Sequence, residues 1–324
     1  MLRARAMSTA MIVLTTVLSV LAVMGIGAVL RRRGIVSEAA AAGMGRIVAD
    51  VAFPALCLEG LAHAERSTLA EGAIVAVLGF VTLGVATLVG LALVRALGVP
   101  ARARPTAVFA IAIGNWIFLP LPVAGALYGM AGTTTVLLNN VGAQIFLWTF
   151  GIVILKGRFD ASAARAIGTS PGLWATLAGI ALAVIAPPIP EGAAPIVAVL
   201  AGALHLVATL TIPLVSLAIG AQLADRASVV ADGRAVTVVV LGRMVAAPLV
   251  VSALIELARP VLGLGDEARM TEHLIAAMPV SLSAAALVQR YDGDVALVSR
   301  AILVTTLLAA ATAPLWMLAV AAFT

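Results

Sequence analysis

Asn115, Pro120 and Pro122 fall within one short apolar stretch, Asn115-Trp-Ile-Phe-Leu-Pro120-Leu-Pro122. A proline in a helix interior removes a backbone hydrogen bond and frees a carbonyl. In lipid that is tolerated only beside protein or a polar cavity. Pro279, followed by Ser281 and Ser283, repeats the pattern in a second apolar stretch. Where such a break divides a helix, the start of the second half points partial positive charge at an anion. Asn115 adds an amide donor without a buried charge. Asn139, Asn140 and Gln144 lie within about 1.5 helical turns of one another, where amides either bond neighbouring helices or line a cavity; Asn140 and Gln144 are taken as lining residues. Pro54 and Pro213 read equally as site or kink. The chemistry on offer is non-covalent capture of an anion.

Ionisable groups inside apolar runs are functional candidates by default, because burying a charge in lipid is costly. Asp50, Glu59, His205, Arg243 and Glu256 qualify. Glu59 is either a proton-coupling carboxyl, if burial raises its pKa, or an interfacial carboxylate. Asp50 is placed to pair with Arg46 one turn earlier, and Arg243 to snorkel. No HExxH or paired-aspartate motif occurs, and His63, His205 and His273 lie on different segments without metal-ligand spacing. Neither a metal nor a cofactor is expected. Cys57 reads as a small buried hydrophobe.

Bilayer-spanning helices must position these residues. Hydrophobic residues form 63% of the 324-residue chain and charged ones 11%, against about 25% charged in soluble domains; mean hydropathy is +1.16. Ten apolar segments run approximately 8–30, 42–62, 70–95, 105–128, 132–155, 171–187, 195–224, 234–257, 270–290 and 295–322. The first is too long for the apolar core of a signal peptide and ends on Arg31, Arg32 and Arg33 without a small-residue cleavage site, so it reads as a retained helix. Arginine and lysine collect on one set of alternate loops, at Arg31 to Arg33, Arg95, Arg102, Arg104, Lys156, Arg158, Arg165, Arg226, Arg234, Arg290 and Arg300. The other set holds Arg3, Arg5, Arg66, Arg259 and Arg269. The richer side is cytoplasmic, so both termini face outward across the plasma (inner) membrane. The basic clusters between apolar runs are explained by orientation rather than by a nucleic-acid partner.

The chain also repeats itself. VAFPALCLEGLA corresponds to TIPLVSLAIGAQLA, with Pro54 matching Pro213. The segments around Pro120 and Pro279 each run into a Tyr/Gly turn, at Tyr128-Gly129 and Tyr291-Asp292-Gly293. Two halves of five segments, 1–155 and 171–324 about a short linker at 156–170, must be inverted because five is odd. Paired discontinuous helices in inverted repeats mark the site of a secondary transporter.

Three stretches resemble the auxin efflux carrier family of membrane transporters: GRIVADVAFPALCLEGLA, the Asn115 segment through Pro122 to ALYG, and AAMPVSLSAAALVQRYDGDVALVSRAILVTTLLAAATAPLWMLA. IPLVSLAIGAQLA supports them, and Gln222 within it matches a family position. The resemblance implies an all-α polytopic membrane protein of ten helices in two inverted repeats, sharing its architecture with bile-acid symporters. It further implies a scaffold part, an elevator-like mobile part, and an organic anion held where helices 4 and 9 cross, contacting Asn115, Pro120, Pro122, Asn140, Gln144, Pro279 and Ser281. Homodimers are implied. The membrane potential, a proton gradient or both are expected to drive transport, with sodium as the alternative and Asp50, Glu59 and Gln222 as coupling candidates. The short linker favours the bacterial branch, associated with dicarboxylates such as malate. Where the family has Asn-x-Gly-x-x-Gly-x-Pro, this chain places Ile117 and Pro120 at the glycine positions and adds the bulky Trp116, predicting a tighter and more apolar crossover. The expected function is secondary transport of a small organic anion. A sodium-coupled bile-acid-type symporter and a membrane-embedded enzyme are the alternatives.

Overall fold

The structure, a computed structural model, describes residues 2–158, 165, 168–185, 191–226 and 231–323. Most of the 156–170 linker and the Pro187-Pro188-x-Pro190 breaker lie outside the described residues. Every element among the described residues is helical. They comprise α1 (Leu2–Arg32), α2 (Glu38–Ile47), α3 (Phe53–Ala62), α4 (Arg66–Ala70), α5 (Gly72–Ala96), α6 (Arg104–Ala112), α7 (Pro120–Phe146) and α8 (Ile152–Lys156). These are followed by α9 (Pro171–Ile185), α10 (Ala194–Thr209), α11 (Thr211–Arg226), α12 (Gly233–Leu241), α13 (Ala247–Leu262), α14 (Asp266–Ala276), α15 (Ser283–Arg290) and α16 (Val295–Phe323).

Seven helical stretches among them are long and apolar enough to cross a membrane: Met7–Arg32, Glu38–Ala62, Gly72–Ala96, Pro120–Lys156, Ala194–Asp225, Gly233–Leu262 and Val295–Ala322. Three of these are continuous only through a π-helical turn, at Val48–Ala52, Leu147–Gly151 and Gly242–Ala246. Each such turn inserts a residue into the helical ladder and re-aims the side chains after it.

Several prolines begin helices. Pro105, Pro120 and Pro195 sit in first turns, where the missing N–H would have no intrahelical partner anyway, while Pro54 and Pro248 follow directly on π turns inside continuous stretches. Pro120 and Pro122 therefore open α7 after a break at 113–119, and leave fewer free amides there than an interior break would. Pro279 lies in the matching break at 277–282, between α14 and α15. Both predicted Tyr/Gly turns are helix reversals. Gly129 has φ 58° and ψ −135°, a conformation reserved for glycine, and folds α7 into arms 120–128 and 130–146. Asp292 adopts φ 54° ahead of α16.

The helices pack in two sets joined by α1, which also lies on α16 and α7. In one, α1 lies on α11, α2 on α11, and α3 against α9 and α10. In the other, α5 packs on α6 and α7, α14 on α7 and α13, and α12 on α16. Backbones touch within the first group: a Cβ on Gly220 would stand 1.8 Å from the Met24 carbonyl oxygen.

Candidate functional site: the crossing of two interrupted helices

The breaks at 113–119 and 277–282 meet in a two-residue antiparallel bridge between Gly114 and Val280. The Asn115 N–H donates to the Pro279 carbonyl at 2.8 Å, and the Ser281 N–H to the Ile113 carbonyl at 2.9 Å. Thr305 Oγ1 of α16 accepts the Val280 N–H. Broken helices survive in a membrane only when the freed backbone groups find partners, and here each break supplies the other's.

On one side of the bridge α6 and α14 end. Their last carbonyls have no intrahelical donors, and Arg243 supplies them. This residue, on the π turn Gly242–Ala246, is 3% exposed. Its Nε donates to Met278 O at 2.8 Å, Nη2 to Ala276 O at 2.6 Å and Nη1 to Ile111 O at 3.3 Å. Among the described residues no carboxylate lies within ion-pair distance of it. A Cβ on Gly114 would come within 2.6 Å of its Cζ, so the glycine makes room for the guanidinium. The expectation that Arg243 snorkels is replaced by this: it faces inward and joins the ends of both half-helices.

On the other side α7 and α15 begin, beside a cavity of about 470 Å³. Its polar lining includes Asp50, Asn140, Gln144, Ser170, Ser281 and Ser283; its apolar walls include Phe53, Trp116, Phe118, Leu147 and Leu287. Trp116 Nε1 donates to Asn140 Oδ1 at 3.0 Å, and Trp148 Nε1, on the π turn Leu147–Gly151, donates to Gln144 Oε1 at 2.9 Å. Both amide oxygens are thereby occupied, and each NH₂ remains without a protein acceptor among the described residues. Trp116, expected only to crowd the crossover, fixes the orientation of Asn140. Ser281 and Ser283 share a hydroxyl hydrogen bond of 2.8 Å. Ser170 Oγ caps the start of α9, accepting the Leu173 N–H. Two helix N-termini, those of α9 and α15, thus line one cavity, and donors outnumber its single carboxylate, Asp50.

Asn140, Gln144, Ser281 and Asp50 are brought together; the other candidates are not. Asn115 lies 6% exposed in a separate narrow gap with Ser216 and Thr306, and its Oδ1 accepts the Phe118 N–H at 3.1 Å. Phe118 lines both the gap and the cavity and packs edge-on against Phe53, ring centroids 5.9 Å apart. Pro120 and Pro279 are buried in the breaks and Pro122 is half-buried. Glu59 pairs with His205 Nδ1 at 2.7 Å across α3 and α10, away from the cavity. Gln222 is half-buried on α11, also outside it. No Arg46–Asp50 ion pair forms among the described residues.

A multi-span helical bundle with two interrupted segments crossing beside a donor-lined cavity has the build of a membrane transporter. The profile of the family described as membrane transport protein matches residues 12–170 and 161–317, and the chain belongs to that family, the one of the auxin efflux carriers. It is similar along nearly its whole length to an uncharacterized transporter of Methanothermobacter thermautotrophicus, 27% identical over 306 residues that cover 93% of this chain and 96% of the relative.

Proposed function

We propose that this transporter is a secondary carrier of a small organic anion, bound in the cavity beside the helix crossing. The observation that carries this reading is the pair of indole-fixed amides, Asn140 and Gln144, presenting NH₂ groups into a space of about 470 Å³. That volume lies within the range of about 300–1,000 Å³ common for small-ligand pockets. The aromatic and leucine walls suit an organic body, while the N-termini of α15 and α9 favour negative charge. The cavity's edge at Thr169 and Ser170 adjoins the basic linker with Lys156, Arg158 and Arg165, whose field attracts anions.

Ten segments in two inverted five-helix repeats, 1–155 and 171–324, accommodate the two interrupted helices as the fourth and ninth. The cavity has walls from both helix groups, α3 and α9 on one side and α7 and α15 on the other. This favours an elevator-like movement of the second group past the first, with Phe118 between cavity and Asn115. Residence in the plasma (inner) membrane with outward termini, homodimerisation, and proton or sodium coupling complete the reading.

The test is counterflow of radiolabelled anions, beginning with malate, in proteoliposomes holding the purified chain. Saturable flux is expected, falling at least about tenfold in the Asn140→Ala/Gln144→Ala double variant, the effect of losing about 1.4 kcal/mol of binding. Sodium-dependent flux would move the reading to a sodium symporter. Absence of flux for every mono- and dicarboxylate would end it.

A further inference from the structure

A second polar pair lies on the opposite side of the crossing, and the substrate cavity does not use it. Glu272 sits on α14 one turn before Ala276, 1% exposed. Its carboxyl oxygens accept from Asn139 Nδ2 at 3.0 and 2.9 Å. Asn139 is itself fully buried, and its Oδ1 has no partner among the described residues. A carboxylate held by one amide in a lipid-surrounded interior is poorly compensated. Protonation removes the charge and creates an O–H donor, and the acceptor it needs is the idle Asn139 Oδ1. Acid and amide can then each donate and accept once.

The pair also has an approach. A cavity of about 260 Å³ is lined by Glu65, Ser67, Glu71, Asp266 and Glu267, with Thr135 and Ala268 among its remaining walls. Thr135 precedes Asn139, and Ala268 precedes Glu272, by one helical turn. The acid-lined space therefore reaches to within one turn of the buried carboxyl on both helices that hold it.

The other charged groups nearby are committed elsewhere. His273 on α14 faces Ser252 and Glu256 of α13. Arg269 binds Glu256 and Asp266, and Arg243 binds the Ala276 carbonyl one turn on. The 130–146 arm of α7 carries no charged residue, α5 carries only Arg95 at its far end, and α16 only Arg300 near its start.

We propose that Glu272 and Asn139 form a proton-binding site, loaded from the acid-lined cavity, whose charge state is read by the substrate cavity through Asn140. The proton passes from hydronium to the Glu272 carboxylate, leaving water. Asn139 and Asn140 are consecutive on one helix and point about 100° apart, one toward the carboxyl and the other toward the cavity. This last step rests on the carrier reading above; the proton site does not.

Infrared difference spectroscopy of the full-length protein in liposomes tests the site with protons alone. As pH falls, carbonyl stretches of protonated carboxyls should appear, and one component of the wild-type set should be missing in Glu272→Gln. In Asn139→Leu its titration midpoint should move. A set of titrating bands identical in wild type and Glu272→Gln overturns the site. Should that variant fold poorly, an unmoved midpoint in Asn139→Leu overturns the pairing. With an anion that gives counterflow, Glu272→Gln should flatten the pH dependence of half-saturation; a retained dependence overturns the transmission through Asn140. Because the infrared measurement needs no substrate, its failure and the failure of the carrier reading are separate results.

Discussion

The two sides of the helix crossing are built from the same backbone problem and solve it oppositely. Where α6 and α14 end, three carbonyls are met by the chain's own guanidinium, Arg243, buried and fully engaged. Where α7 and α15 begin, the donors are met only in part: Asn115 takes the Phe118 amide, and the NH₂ groups of Asn140 and Gln144 are oriented by tryptophans but given no acceptor among the described residues. The satisfied side is structural cement. On the carrier reading proposed above, the unsatisfied side is binding capacity, since buried polar groups without partners are rare in folded proteins.

That contrast can be broken from either side. Arg243→Gln should have the largest effect, because it strips charge-assisted bonds from both half-helix ends, each worth about 1.5–3 kcal/mol. The expected result is a fall in the melting midpoint and in the monodisperse fraction after detergent extraction; a variant as stable as the wild type would remove Arg243 from the fold's foundations. On the open side, Trp148→Phe keeps an aromatic ring, though a smaller one, and deletes the donor to Gln144. Stability should hold while the half-saturation concentration of anion counterflow rises about three- to tenfold, the loss of about 0.5–1.5 kcal/mol. His205→Ala removes a partner of Glu59 that lies well away from both sides and is 62% exposed. Exposed pairs contribute about 0–1 kcal/mol, so melting should shift least and flux should not change. A collapse of flux there would mean that Glu59 is a coupling group after all.

Much of this arrangement is legible in the sequence because it is local. Pro120 and Pro279 mark the breaks, Tyr128-Gly129 and Asp292-Gly293 mark the reversals, and most of the ten apolar runs fall on the seven stretches long enough to span. What escapes the sequence is phase and distance. Asp50, Trp148 and Arg243 all ride on π turns, and an inserted residue shifts the face that a 3.6-residue period assigns. Arg243 on an undistorted helix reads as a snorkelling cation; rotated by the turn, it points inward. Trp116 reads as bulk because its partner, Asn140, is 24 residues away. Glu272, close to the start of its apolar run, looks no different from the interfacial charges Arg269 and Glu267, and only its packing against Asn139 separates them.

Arg243 also constrains the order in which the molecule can be completed during synthesis. An arginine at mid-helix opposes insertion by about 2.5–3.5 kcal/mol, so its segment enters the bilayer carrying a debt of solvation. Ile111, one of its acceptors, has already emerged, 132 residues earlier. The other two belong to Ala276 and Met278, made 33 and 35 residues later. Until then the guanidinium has a single carbonyl of its final three. The crossing therefore closes late, when the second interrupted helix arrives, and a nascent chain ending before that point holds an unfinished centre whatever the state of its earlier helices.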